Sequence, residues 1–141
     1  MNRIALAESD HDIDRCYPVM HELRPHLDHA EYIAQVRRQM ANGYRLAFVE
    51  DGGEAKGVAG FRFLEFLAWG RILYVDDLVT RAHERSKGFG DRLFDWLVEQ
   101  AVERGCDQLH LDSGVQRFGA HRFYLRKRMD ITAHHFALKL R

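Results

Sequence analysis

ILYVDDLVTRAHERSKGFGDRLFDWLVEQ (residues 72–100) is the stretch that decides the fold. It opens on a run rich in branched apolar residues, which predicts a strand over 71–80. It closes on Phe89, Leu93, Trp96, Leu97 and Ala101, which share one face at helical spacing and predict a helix from Gly88 to about Arg104, ended by Gly105. Between them lies RSKGFG (85–90). A strand feeding a glycine-rich turn and then a helix makes an anion site, because the first N–H groups of a helix have no internal partners and the macrodipole adds roughly half a positive charge there. Gly88 and Gly90 carry no Cβ, so phosphate oxygens can approach the main chain, while Arg85 and Lys87 add full charges and Arg85 can bond two oxygens at once. A pyrophosphate fits this inventory. A Walker loop does not, since Asp91-Arg92 follows where Lys-Ser/Thr is needed, and a dinucleotide fingerprint belongs between the first strand and first helix rather than in mid-chain. Taken alone, the hexapeptide reads equally well as a tight turn.

Outward from this core the chain alternates strands and helices. RIALAES (3–9) predicts a strand, and Ile13, Tyr17, Met20 and Leu23 predict a helix from Asp10 to about Leu23. Asp28 caps a second helix carrying Ile33, Val36 and Met40, which Asn42-Gly43 ends. YRLAFVE (44–50), the DGGE turn (51–54) and KGVAGFRFLEFLA (56–68) predict a hairpin. DQLHLDSG (107–114) follows a helix and is expected to run parallel to 71–80. A short helix over 118–127 and a closing strand, ITAHHFALKL (131–140), complete the order β-α-α-β-β-β-α-β-α-β. The expected fold is α/β, with a mixed twisted sheet of about six strands, helices on both faces, and a single domain over 1–141.

Composition narrows the function classes. Twenty-one basic residues balance twenty-one acidic ones, so the basic excess of a nucleic-acid-binding protein is missing. The N-terminal stretch is charged throughout, unlike a secretory signal, and no window is apolar enough for a membrane span. Cys16 and Cys106 lie far apart in sequence, which reads as free thiols and a cytoplasmic location. No metal is expected: His134 and His135 are adjacent in a predicted strand and point to opposite faces, and His21, His26 and His29 near a helix junction make a weak case.

LYVDDLVTRAHERSKGFGDRLFDWL (73–97) resembles the central motif of the GNAT superfamily of acetyl-CoA-dependent N-acyltransferases, with Arg85, Gly88 and Gly90 on its Arg/Gln-x-x-Gly-x-Gly/Ala positions. AHRFYLRKRM (120–129) is similar to the family's Ala-x-x-Phe-Tyr segment, through Ala120, Phe123 and Tyr124. The resemblance implies that the turn from Arg85 through Ser86, Lys87, Gly88, Phe89 and Gly90 to Asp91 holds the pyrophosphate of coenzyme A, with Phe123 also at the coenzyme. It implies that the main chain at Leu78, Val79 and Thr80 binds the pantetheine arm and polarises the thioester carbonyl. Two departures stand out. Arg117 occupies a common Asn position and reaches a phosphate instead in this reading, and Arg128-Met129 replaces a Gly-Phe pair after the tyrosine helix.

The implied reaction transfers an acetyl group from acetyl-CoA directly to an amine, a small molecule rather than a protein. The alternative is a non-catalytic acyl-CoA-binding or sensing module on the same fold. Tyr124 is the candidate general acid, because a phenol stays protonated at neutral pH and can protonate the departing thiolate. Asp76 and Asp77 interrupt an apolar strand, where carboxylates are costly unless paired or functional. Alternation places Asp76 with Tyr74, Leu78 and Thr80 and Asp77 on the opposite face, with Asp76 favoured as base or amine-orienting group; a structural role for both, and Asp112-Ser113 as a third acidic locus, stay open. The 16–32 segment is expected to line the acceptor pocket, where Glu22, Asp28 and Glu31 can attract a cationic amine. Trp69 is a candidate lid or contact in a homodimer, or a side chain folded back over the sheet. Cys106, beside Gly105 at a helix end, gives no support to a ping-pong route.

Overall fold

In the computed structural model of the protein, which describes residues 2–141, the first predicted helix is two helices: α1 (Asp10–Arg15), capped by the Ser9 side chain on Asp12 N, and α2 (Tyr17–Leu23). Pro18 sits in the first turn of α2, where its missing N–H leaves no bond unmade but prevents one continuous helix from running through. α3 (His29–Ala41) begins where the Asp28 carboxylate accepts from Ala30 N. It ends at Asn42 and Gly43, the latter at φ +99°.

β1 (Asn2–Leu6), β2 (Arg45–Asp51), β3 (Glu54–Phe66) and β4 (Gly70–Thr80) follow one another as antiparallel neighbours, and β5 (Gln108–Leu111) joins β4 at the far side of a five-stranded mixed sheet. Gly52 and Gly53 both take positive φ in the β2–β3 turn, the backbone a two-residue hairpin of this twist requires. α4 (Phe89–Glu103) is the crossover between β4 and β5, entered through a 3₁₀ turn over Ala82–Lys87.

The sheet's two faces are covered by different helices. Leu46, Phe48, Val58 and Val79 pack with Ile13, Cys16, Val19, Met20, Tyr32 and Val36 of α1–α3. On the other face Phe61 meets Trp96 of α4 edge-on at 5.7 Å, and Leu93 and Leu97 are fully buried. Each such side chain contributes roughly 1.5–3 kcal/mol by leaving water. Cys16 and Cys106 are free thiols, and burial pushes the Cys16 thiol up to about 12, so it packs as an inert apolar group. No helix among the described residues is long and apolar enough to cross a membrane.

By compactness the chain divides into two units, Met1–His110 and Leu111–Arg141. The first holds β1–β4, α1–α4 and most of β5; the second holds α5 (Phe118–Arg126) and the C-terminal tail. Two expectations change here. The strand expected over 107–114 is four residues long, because Asp112, Ser113 and Gly114 leave the ladder. The closing strand over 131–140 does not form: those residues pair with no strand among the described residues, and Ile131, Phe136, Leu138 and Leu140 are exposed. Alternation of apolar residues made the segment look like a strand, but alternation alone supplies no partner for its backbone.

Candidate active site

The expected glycine-rich turn forms between β4 and α4. Gly88 is the N-cap of α4 at φ +82°, a left-handed conformation that glycine takes without strain, and no heavy atom would lie within 4 Å of a Cβ there. The main-chain amides that follow belong to Phe89, Gly90 and Asp91. The Phe89 side chain is buried in the core, so that residue can meet a ligand only through its backbone. Arg85 and Ser86 are exposed, and the Arg85 guanidinium has no partner among the described residues. Lys87 differs, because its ammonium lies 2.8 Å from the Glu84 carboxylate.

Glu84 organises the turn from below. It is buried in the 3₁₀ segment and takes Lys56 of β3 at 3.1 Å as well as Lys87, and these two ammonium groups hold its carboxyl down to about 2. Arg81 Nε donates to Ala55 O and Arg81 N to Lys56 O, while the Ala82 N–H donates to the Glu22 carboxylate at 2.8 Å. Glu22 thus ties α2 to the turn. Asp28 is likewise engaged as a helix cap, so two of the three acidic residues expected to lure a cation accept from backbone N–H groups instead.

Leu78, Val79 and Thr80 pair with Ala59, Val58 and Gly57 of β3. β5 starts beside Arg71, where Asp107 N donates to Arg71 O, and lasts only four residues, so it does not extend alongside Leu78–Thr80. That leaves one flank of β4 open just before the glycine turn, the place where an extended arm can add to the sheet.

Asp76 and Asp77 occupy the same face, not opposite ones. A β-bulge pairs Phe61 with Val75 and Gly60 with Asp77, leaving Asp76 as the extra residue, and an extra residue resets the alternation. Both carboxylates therefore face the side of the sheet covered by α1–α3. Arg62 Nε and Nη2 donate to the two oxygens of Asp76 at 3.0 and 2.6 Å. Arg24, at the C-cap of α2, donates through Nε to Asp77 and through Nη2 to the Asp76 carbonyl, both at 3.0 Å. The buried Tyr44 hydroxyl donates to Asp77 Oδ2 at 2.8 Å, and the Arg62 guanidinium lies over the Tyr44 ring at 5.5 Å. Burial raises the Asp76 carboxyl above its ordinary value even against Arg62, and burial beside Asp77 raises the Tyr44 phenol well above its own.

Sequence reading missed Arg24, Tyr44, Arg62 and Gly60. Only Gly60 left a signal, since a glycine inside a strand pattern points to a bulge or a close approach. A Cβ on Gly60 would strike the Tyr44 hydroxyl and come within 2.6 Å of Asp77 Oδ2.

In the second unit, α5 presents Phe123 and Tyr124 with rings 5.6 Å apart. Burial raises the Tyr124 phenol above its ordinary value, against the opposing charge of Arg117, the N-cap of α5. Asp112 carries His135 at 3.4 Å, and the enclosed Ser113 hydroxyl has no hydrogen-bond partner among the described residues. Trp69 stacks on His110 at 4.1 Å and against Phe66, folded back along the sheet. Among the described residues no three His, Cys, Asp or Glu side chains converge as metal ligands; His29 instead bonds Asp14 at 2.7 Å and stacks on Tyr17.

The Acetyltransferase (GNAT) family model matches residues 8–129. The chain belongs to the GNAT family. An uncharacterized N-acetyltransferase of Bacillus subtilis (strain 168), YhdJ, is 35% identical over 112 residues, covering 79% of each chain. The aminoalkylphosphonate N-acetyltransferase of Salmonella typhimurium is 32% identical over 87 residues, 60% of this chain and 54% of that protein. The GNAT fold extends to a solved aminoglycoside N-acetyltransferase in complex with CoA, which matches with a TM-score of 0.84 over 100% of this chain and 97% of that one, at 11% identity. The protein is accordingly an acyltransferase enzyme, with N-acetyltransferases as its relatives.

Proposed function

We propose that this GNAT enzyme transfers an acetyl group from acetyl-CoA directly to the amine of a small-molecule acceptor. The observation that carries the reading is the left-handed Gly88 at the start of α4 beside an unpaired Arg85, next to the open flank of β4. Amides of Phe89, Gly90 and Asp91, with Arg85 and Ser86, take the pyrophosphate; Lys87 contributes if it leaves Glu84. The main chain of Leu78–Thr80 takes the pantetheine arm and directs an N–H at the thioester carbonyl.

Coenzyme A supplies the activated thioester. Asp76, its carboxyl raised by burial, accepts a proton from the acceptor ammonium, leaving a nucleophilic amine. The amine nitrogen bonds to the thioester carbon, the C–S bond breaks and Tyr124 protonates the thiolate, while the second proton that the nitrogen sheds in becoming an amide returns to the phenolate. The Arg117 guanidinium, whose charge favours the ionised phenol, stabilises the transient phenolate. Asp77, held by Arg24 and Tyr44, orients the network rather than moving a proton. In this reading residues 1–141 act as one acyltransferase domain in the cytoplasm, without nucleic acid or membrane, and the exposed Phe136, Leu138 and Leu140 favour a homodimer.

The test is free-thiol release from acetyl-CoA across an amine library, with the acetylated product identified by mass spectrometry. Product with at least one amine supports transfer; acetyl-CoA bound but untouched by every amine leaves only the coenzyme-binding half of the reading.

A further inference from the structure

Two guanidiniums and two carboxylates meet on the α1–α3 face of β4, and their charges cancel. Arg62 engages both oxygens of Asp76, and Arg24 engages Asp77 Oδ1 and the Asp76 carbonyl. The four differ in exposure. The Asp77 side chain is 14% exposed, Asp76 21% and Arg62 23%, but Arg24 is 42% exposed. A guanidinium has five N–H donors, and Arg24 directs donors on two of its nitrogens at Asp77 and the main chain, so others remain on the outward side. Asp76 likewise keeps acceptor capacity, because a carboxylate offers about four lone-pair sites.

A neutral cluster of this kind discriminates by charge. A monoamine arriving as an ammonium adds one uncompensated positive charge beside two guanidiniums, and a polyamine adds more; both lose solvation without a matching anion. A molecule carrying an ammonium and an anion together adds no net charge. Two of the three acidic side chains that would have favoured a polycation are engaged elsewhere, Glu22 on Ala82 N and Asp28 on Ala30 N.

We propose that the acceptor is a small zwitterion, its amine placed at Asp76 and its carboxylate, phosphonate or similar anion bound by the outward face of Arg24. This rests on the transfer reaction proposed above and adds the class of acceptor. Arg24 is then the specificity-determining residue, and its attachment to Asp77 and to the Asp76 carbonyl fixes the anion subsite relative to the base.

A matched series with one spacer tests this: β-alanine, 2-aminoethylphosphonate, propylamine and 1,3-diaminopropane, each assayed with acetyl-CoA by thiol release, with acetyl-CoA binding measured separately by calorimetry. The expected result is a kcat/KM at least about tenfold higher for the better anionic member than for propylamine or the diamine, the size of one charge-assisted contact. Arg24→Gln should lower the anionic rate more than the propylamine rate, chiefly through KM, and Arg24→Lys should restore part of it. With the coenzyme bound, equal or better rates for propylamine or the diamine, no transfer to either anionic member, or an equal loss across the series in Arg24→Gln would overturn the zwitterion assignment and leave the coenzyme site standing. Failure to bind acetyl-CoA would instead remove the reading beneath it.

Discussion

The Tyr44 hydroxyl reaches Asp77 Oδ2 at 2.8 Å through space that exists because residue 60 is glycine. Gly60 and Asp77 are cross-strand partners at the β3–β4 bulge, so the missing Cβ and the hydrogen bond lie on one face. Gly60→Ala should cost about 1–3 kcal/mol by overpacking and should lower turnover by displacing Asp77. Urea unfolding checks the first part; an Ala variant as stable as the parent would mean that the Tyr44–Asp77 contact gives way easily.

Tyr124→Phe removes the proposed proton donor and keeps the ring. Turnover should fall by about 100-fold or more, the scale of a general acid, with little change in acetyl-CoA affinity. Steady-state kinetics over both substrates checks it, and an undiminished kcat would transfer the acid role to another group or to solvent.

The bulge also shows where sequence reading ran out. Strand and helix periods gave β2–β4, α3 and α4 nearly to their ends, because each buries one regular face. The glycine turn was legible because a helix start after a strand has one geometry. The faces of Asp76 and Asp77 were not, since a single extra residue reverses every alternation beyond it. Arg24, Tyr44 and Arg62 were invisible for a different reason: they join three elements far apart in sequence, and no local pattern marks a partner 53 residues away.

Acid should loosen the glycine turn between β4 and α4. Lys87 and Lys56 hold Glu84 down to about 2, below its ordinary 4.5, so the folded state binds this proton less readily than the unfolded chain. That contribution is fully present above about pH 4.5 and is lost as pH falls from there toward 2. The Tm difference between the parent and Glu84→Gln should therefore be largest near neutrality and shrink across this window. A difference that stays constant from pH 7 to about 2 would show that the ion pairs do not contribute through that proton.

Gly88→Val places a branched side chain at φ +82°, where an L residue costs roughly 1–2 kcal/mol, although no neighbouring atom stands in its way. The turn should relax away from this conformation and acetyl-CoA affinity should drop, with the fold retained by circular dichroism. Unchanged affinity in a folded Val variant would separate the turn's shape from coenzyme binding.

Calorimetry of the parent protein with acetyl-CoA, dephospho-coenzyme A and pantetheine decides whether the glycine turn holds a pyrophosphate. Dephospho-coenzyme A keeps the pyrophosphate, and pantetheine lacks it. The first two should bind, and pantetheine should bind at least about 100-fold more weakly, if the α4 amides and Arg85 recognise the pyrophosphate. Pantetheine binding as tightly as acetyl-CoA, or no binding of acetyl-CoA at all, would contradict it.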